Sequence, residues 1–242
     1  LGGVYVRALL AAGLKVAALD INPQNPKGCL NEILNTGLLK IKCDITNKTS
    51  LKKALRKVLD HFKCVDILIN NAALDTPPHQ MSASFEEYDE KIWDKTLAVN
   101  LKGVFLCCQV FGGAMASKKK GSIINISSIY GLLSPDQRIY EYKKPAFYKP
   151  LDYSVSKAGI LNLTRYLATY WAGKNVRVNT LTLAGVLNRQ DSRFIKNYTA
   201  KIPLGRMADP QDYCGAVLFL ASEASAYMTG ANLVIDGGYS AW

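Results

Sequence analysis

The chain has 242 residues, 49% hydrophobic and 20% charged, which excludes a disordered segment and suits one sizeable α/β domain without a linker. Lys and Arg number 30 against 19 Asp and Glu, a net charge of +11 that admits nucleic acid, a membrane surface or an anionic substrate as partner. The longest basic run, Lys118-Lys119-Lys120, stands just before Gly121 and a strand, so it reads as a solvated turn and nucleic acid is not an expected partner.

Residues 1–13 read as a helix with glycine at its start and Gly13 as its stop. Lys15-Val16-Ala17-Ala18-Leu19-Asp20 follows as a short buried strand. In dinucleotide-binding folds a strand and a glycine-rich turn precede such a helix, and the glycines let backbone approach a pyrophosphate at the helix N-terminus. Gly2 has the place of the last of those glycines, and the pattern creates the expectation of a strand and further glycines upstream of Leu1. Asp20, at the strand end, is placed to accept from both ribose hydroxyls and to repel a 2′-phosphate, which points to NAD, with NADP less favoured.

Leu38 to Asp44 reads as a further strand, then a helix opened by Thr49 or Ser50 and running to about Phe62. Asp66 to Ala73 reads as a strand leading into a turn of polar and small residues. A long helix is predicted from about Glu90 to Ala116, irregular near Asn100, whose amide among apolar neighbours needs partners. Gly121 to Ser128 is a strand that delivers two hydroxyls, Ser127 and Ser128, at its carboxyl end, where ligands sit in open α/β sheets. Pro135 to Pro150, rich in Tyr, Lys and Pro, reads as a loop excursion.

Tyr153 and Lys157 then fall one helical turn apart on one face. A free phenol has a pKa of about 10. An ammonium beside it favours the phenolate and makes Tyr a usable general acid/base near neutral pH. Val176 to Thr182 is the next strand, Asn188 to Tyr198 a helical flap carrying Arg189, Arg193 and Lys196, Pro203 to Arg206 a turn, and Pro210 to Ser222 a helix. Asn232 to Gly238 closes the chain as a strand and turn. Strands alternating with helices predict a parallel sheet with right-handed crossovers.

Taken in order, Asn70-Asn71-Ala72-Ala73, Asn100, Ser127-Ser128, Tyr153-x-x-x-Lys157, Pro203-Leu204-Gly205-Arg206 and Asp236-Gly237-Gly238 resemble the short-chain dehydrogenases/reductases over nearly the whole chain. The resemblance implies a single Rossmann-like doubly wound domain over residues 1–242 that interconverts a secondary alcohol and a carbonyl with NAD(P). It also implies an inserted loop at about 134–152 and a substrate flap at about 186–205. It makes Tyr153 the acid/base and Ser128 the hydroxyl holding the substrate oxygen, Ser128 being chosen because Ile129-Tyr130-Gly131 follow it. Lys157 becomes the ribose ligand that lowers the Tyr153 pKa, and Asn100 the anchor of a water relaying protons to Lys157. Gly2, Asp20, Ile21, Asp44, Ile45, Asn71, Ala72, Ala73, Tyr153, Lys157, Gly185 and Val186 become cofactor contacts, with Asp44 near the adenine.

Three features depart from the family pattern. The glycine-rich turn is reduced to Leu1-Gly2, and Ser128 and Tyr153 lie at about twice the usual separation. The Pro-Gly after the sixth strand is Ala184-Gly185, with no Thr following at the nicotinamide-contacting place. Cations and phenols of the loop (Arg138, Tyr140, Tyr142, Lys143, Lys144, Tyr148, Lys149) and of the flap suit an anionic sugar or nucleotide sugar. The loop, flap and residues 160–166 are similar to bacterial members that modify surface-glycan and flagellin sugars. A 3-oxoacyl substrate on an acidic carrier protein and a catalytically silent dinucleotide-binding scaffold are the alternatives.

No apolar run reaches the roughly 18 residues needed to span a bilayer, so no membrane partner is expected. The six Cys lack C-x-x-C spacing and the His are only His61 and His79, which argues against a metal site. Four of the Cys lie in apolar stretches and read as core residues, in keeping with a reducing cytoplasm. The resemblance also implies a homotetramer or homodimer, and Ala158, Gly159 and the run Val217-Leu218-Phe219-Leu220 suit packed interfaces and core equally.

Overall fold

The computed structural model describes residues 1–23, 33, 36–75, 84–144 and 146–242; Cys29, His79 and residue 145 of the expected loop lie outside them. Helix α1 spans Gly2–Ala11 and stops where Gly13 turns left-handed (φ +82°), Leu14 N donating to Leu9 O at 3.0 Å. Strands β1 (Val16–Asp20) and β2 (Leu38–Lys42) pair in parallel, Val16 opposite Leu38. Helix α2 (Lys48–Phe62) is capped by Asn47, whose side chain accepts from Ser50 N, and not by the expected Thr49 or Ser50. The amide acceptor one turn earlier reaches the free N–H that a hydroxyl inside the helix would itself need capped.

Strands β3 (Ile67–Asn70), β4 (Gly121–Ser128), β5 (Val176–Leu183) and β6 (Asn232–Ile235) form a second, wholly parallel sheet in that spatial order. The single sheet expected from the sequence is thus divided into two strands and four. β1 and β3 do not pair. Between them lies a cavity of about 700 Å³ lined by Val16, Ala18, Ile67 and Ile69 together with Tyr5 and Val6 of α1.

Helices cover both faces, as a parallel sheet requires. Successive residues of β4 point to opposite sides. Ile124 and Ile126 pack with Tyr5, Leu9, Val217 and Leu220, whereas Ile123 packs with Val104, Ile160 and Trp171. The remaining helices are α3 (Glu90–Lys118), α4 (Leu151–Trp171), α5 (Ser192–Thr199) and α6 (Cys214–Ala221).

Helix α3 is irregular where the sequence predicts. Its turns widen to π geometry over Ala98–Gly103, around Asn100, and again over Cys108–Gly112. By length and composition this helix could cross a membrane, yet Asn100, Lys102 and Gln109 interrupt its apolar run and half of its apolar window is buried inside the fold. Gly159 and half of the run at 217–220 serve packing within the chain: a Cβ on Gly159 would lie 3.0 Å from Leu101, and Val217 and Leu220 are fully buried, whereas Phe219 is exposed. Cys43, Cys107 and Cys108 are core residues; Cys214 is half-buried and Cys64 exposed.

Candidate active site

Parallel strands end together, and the carboxyl ends here carry the predicted residues. Asp20 ends β1, Asp44 and Ile45 follow β2, and Asn71, Ala72 and Ala73 follow β3. Ser128 ends β4, and Gly185 and Val186 follow β5. Gly2, Asp20, Ile45, Asn71 and Ala72 line the mouth of the cavity between β1 and β3; Ile21, Asp44, Ala73, Gly185 and Val186 do not. Gly2 is needed for close approach, since a Cβ there would stand 3.0 Å from the Asn71 amide. No side chain caps α1, and with Val4 N donating to Leu1 O it is the Gly2 and Gly3 N–H groups that can meet an anion. Asp44 spends Oδ1 on its own turn, accepting from Thr46 N at 2.8 Å and Thr46 Oγ1 at 2.7 Å.

The two hydroxyls ending β4 have different employment. Ser127 donates to the Lys157 carbonyl at 2.9 Å and so ties the strand to α4. Gly131 permits this approach, because a Cβ would sit 2.7 Å from the Lys157 backbone. Ser128 Oγ accepts from Tyr130 N at 3.2 Å and stands near enough to the Tyr153 phenol to favour its ionised form. Ser128, not Ser127, is thus the β4 hydroxyl on the side of the tyrosine.

Lys157 is buried, donates to Ile126 O at 3.0 Å and has its ammonium 5.7 Å from the centre of the Tyr153 ring. Burial draws its pKa down to about 8, against a smaller upward pull from Asp75. Tyr153 moves the other way from the expected lowering: burial raises it well above the ordinary phenol, the charge of Asp75 raises it further, and the Ser128 hydroxyl lowers it. Desolvation of the phenolate outweighs what the neighbouring ammonium contributes.

Asn100 is fully buried and its amide is fully used. Oδ1 accepts from Leu74 N at 2.7 Å, while Nδ2 donates to Leu74 O at 2.8 Å and to Ser156 Oγ at 3.2 Å. Ser156 in turn donates to Tyr153 O at 2.7 Å. The side chain thus pins the segment after β3 to α4, and a water relay at Asn100 would have to run through its main-chain carbonyl.

Sequence reasoning missed a buried polar chain behind the site. Asn70 Nδ2 donates to Asn125 Oδ1 at 2.8 Å, Asn125 Nδ2 to Thr164 Oγ1 at 2.9 Å, and Thr180 Oγ1 to Thr164 Oγ1 at 2.8 Å. The signal was available in Asn125, a polar residue between Ile124 and Ile126 of a buried strand.

Part of the cationic rim is paired. Arg138 and Lys201 hold Asp136, and Arg193 holds Asp191. Tyr140 is buried, ring to ring with Phe147 and Phe194. Flap helix α5 is tied down at its end, where Gly185 N donates to the buried Tyr198 hydroxyl at 2.7 Å. Among the described residues no group of three His, Cys, Asp or Glu could hold a metal ion.

Comparison with known proteins sets these observations in context. The family model described as enoyl-(acyl carrier protein) reductase matches residues 1–240. The chain is 32% identical to a D-threitol dehydrogenase of Mycolicibacterium smegmatis, over 99% of its own length and 88% of the relative's. It is 33% identical to a ribulose-forming D-arabinitol 2-dehydrogenase of Scheffersomyces stipitis, over 100% and 90%. A crystal structure of a short-chain dehydrogenase from Leptospira borgpetersenii with bound NAD⁺ superposes with a TM-score of 0.86 at 37% identity, covering 98% of this chain and 87% of that one.

Proposed function

Because the chain belongs to the short-chain dehydrogenase/reductase family and is an NAD(P)-dependent alcohol–carbonyl oxidoreductase, we propose that it uses NAD to oxidise a secondary hydroxyl of a polyol or sugar, or to reduce the matching ketone. The observation that carries this reading is the meeting of Ser128, Tyr153 and Lys157 at the carboxyl ends of β4 and its neighbours. Of the loop and flap cations that suit an anionic sugar or nucleotide sugar, Arg138, Arg193 and Lys149 are each already paired with a carboxylate. Polyol-oxidising relatives favour a neutral polyhydroxylated substrate.

The residues fit a dinucleotide: uncapped N–H groups and Gly2 at the head of α1 for the pyrophosphate, Asp20 for the adenosine ribose, Asn71 and Ala72 beside them, Lys157 for the second ribose. When bound, the nicotinamide accepts or supplies the hydride. In oxidation the Tyr153 phenolate takes the substrate hydroxyl proton; in reduction the phenol returns it to the carbonyl oxygen. Ser128 donates a hydrogen bond to that oxygen and fixes its position, and the Lys157 charge stabilises the phenolate.

The chain is further proposed to work in the cytoplasm as a homotetramer or homodimer. Exposed Phe105 on α3, and Tyr166 and Tyr170 stacked 6.0 Å apart on α4, support assembly.

Turnover of D-threitol, D-arabinitol and galactitol with NAD⁺, read as reduced nicotinamide, tests the reading; oxidation of at least one is expected. A second reading, a 3-oxoacyl-(acyl-carrier-protein) reductase, is favoured by the +11 charge and by the carrier-protein description of the matching family. Reduction of acetoacetyl thioester with NADPH and no oxidation of any polyol would establish that reading instead.

A further inference from the structure

The mechanism above leaves one buried cation at the site without a task. Lys149 lies in the 134–152 segment, is nearly as buried as the core, and places its ammonium 4.9 Å from the centre of the Tyr153 ring. Its backbone is held at both ends: Lys149 N donates to Gln137 Oε1 at 2.9 Å and Gln137 Nε2 to Lys149 O at 3.4 Å. Its ammonium is ion-paired to Asp75, a largely exposed carboxylate on the segment that Asn100 pins through Leu74. Burying an ammonium costs several kcal/mol unless it is paired, so this placement is a specific one.

We propose that Lys149 is a positioning residue for catalysis: held by Gln137 and ion-paired to Asp75, it sets the balance of charge at the Tyr153 hydroxyl. Tyr153 then stands between two ammonium groups, Lys149 and Lys157, with one carboxylate, Asp75, close enough to oppose its ionisation. The other groups around the ring do not compete. The Tyr130, Tyr140, Tyr198 and Tyr239 phenols that pack in the same cluster are all raised by burial and stay neutral. Asp152, on α4, accepts from Tyr153 N at 2.7 Å and so faces the backbone. Without Lys149 the Asp75 charge would be opposed by Lys157 alone. Without Asp75 both ammonium groups would act on it alone.

This inference rests on Tyr153 as the acid/base, and its test reads the phenol without turnover. The full chain labelled with ζ-¹³C tyrosine, with Tyr153→Phe to assign the resonance, reports the ionised fraction of Tyr153 through a pH titration. Asp75→Asn is expected to raise that fraction, a downward shift of about one pKa unit, and Lys149→Met to lower it. Lys149→Arg keeps the charge and should hold the wild-type fraction. Asp75 is exposed, so its variant decides the matter even where Lys149→Met does not fold. An unchanged or smaller ionised fraction in Asp75→Asn, or an unchanged or larger one in folded Lys149→Met, would overturn the proposal. Failure of wild-type polyol turnover with these shifts present would count against the functional reading alone.

Discussion

Replacing Tyr153 by Phe is expected to lower kcat by about 10²–10⁴-fold, the usual worth of a positioned acid/base, with cofactor affinity and melting temperature nearly unchanged. The separation follows from what the side chain does. Its ring packs with Tyr130, Ile139, Phe147 and their neighbours, and both lysine ammonium groups lie against that ring; phenylalanine keeps all of this. Only the hydroxyl at Ser128 is lost. Steady-state kinetics beside a thermal melt check it, and a variant with wild-type kcat would remove Tyr153 from the mechanism.

Lys157→Met should have the second largest effect, a fall in kcat/KM of about 10²–10³-fold through the lost charge at the phenolate. It carries a stability signature as well. In the folded chain burial brings this amine to about 8, from 10.5 in the open. Below about 8 both states are charged and the folded one bears the full cost of a buried ammonium. Between 8 and 10.5 the unfolded chain holds a proton that the folded chain has released, so stability rises with pH across that window. The rise amounts to about 3 kcal/mol. Urea titrations of wild type and Lys157→Met across the window should therefore converge toward or cross in favour of wild type as pH increases. A constant difference between the two would contradict the burial argument.

Much of this architecture can be read from local patterns. The Gly13 stop, the apolar run of β4 and the irregularity of α3 at Asn100 each follow from one short stretch of residues and the backbone demands it makes. Tyr153 and Lys157 are legible for the same reason: helical spacing alone puts them on one face. What escaped is whatever depends on residues far apart in the chain. Lys149 reads as one more loop cation until Asp75, separated from it by β4 and all of α3, is placed beside it. Asn125 gains its meaning from Thr164 and Asn70 on two other elements. The direction of the Tyr153 shift was missed because an i, i+4 ammonium is visible in sequence and desolvation is not.

The central claim is that the carboxyl ends of these strands bind NAD in preference to NADP, with Asp20 making the choice. Fluorescence titration of the chain with NADH and NADPH side by side tests it most directly, with Asp20→Ser as the control. Asp20 is exposed at the end of β1, its Oδ1 accepting from Asn22 N at 2.7 Å, and in the proposed reading its charge repels a 2′-phosphate. The account predicts NADH tighter by about tenfold or more in wild type, a difference of about 1.4 kcal/mol, and a narrowed gap in Asp20→Ser. NADPH binding as tightly as NADH, or no effect of the substitution, would contradict it.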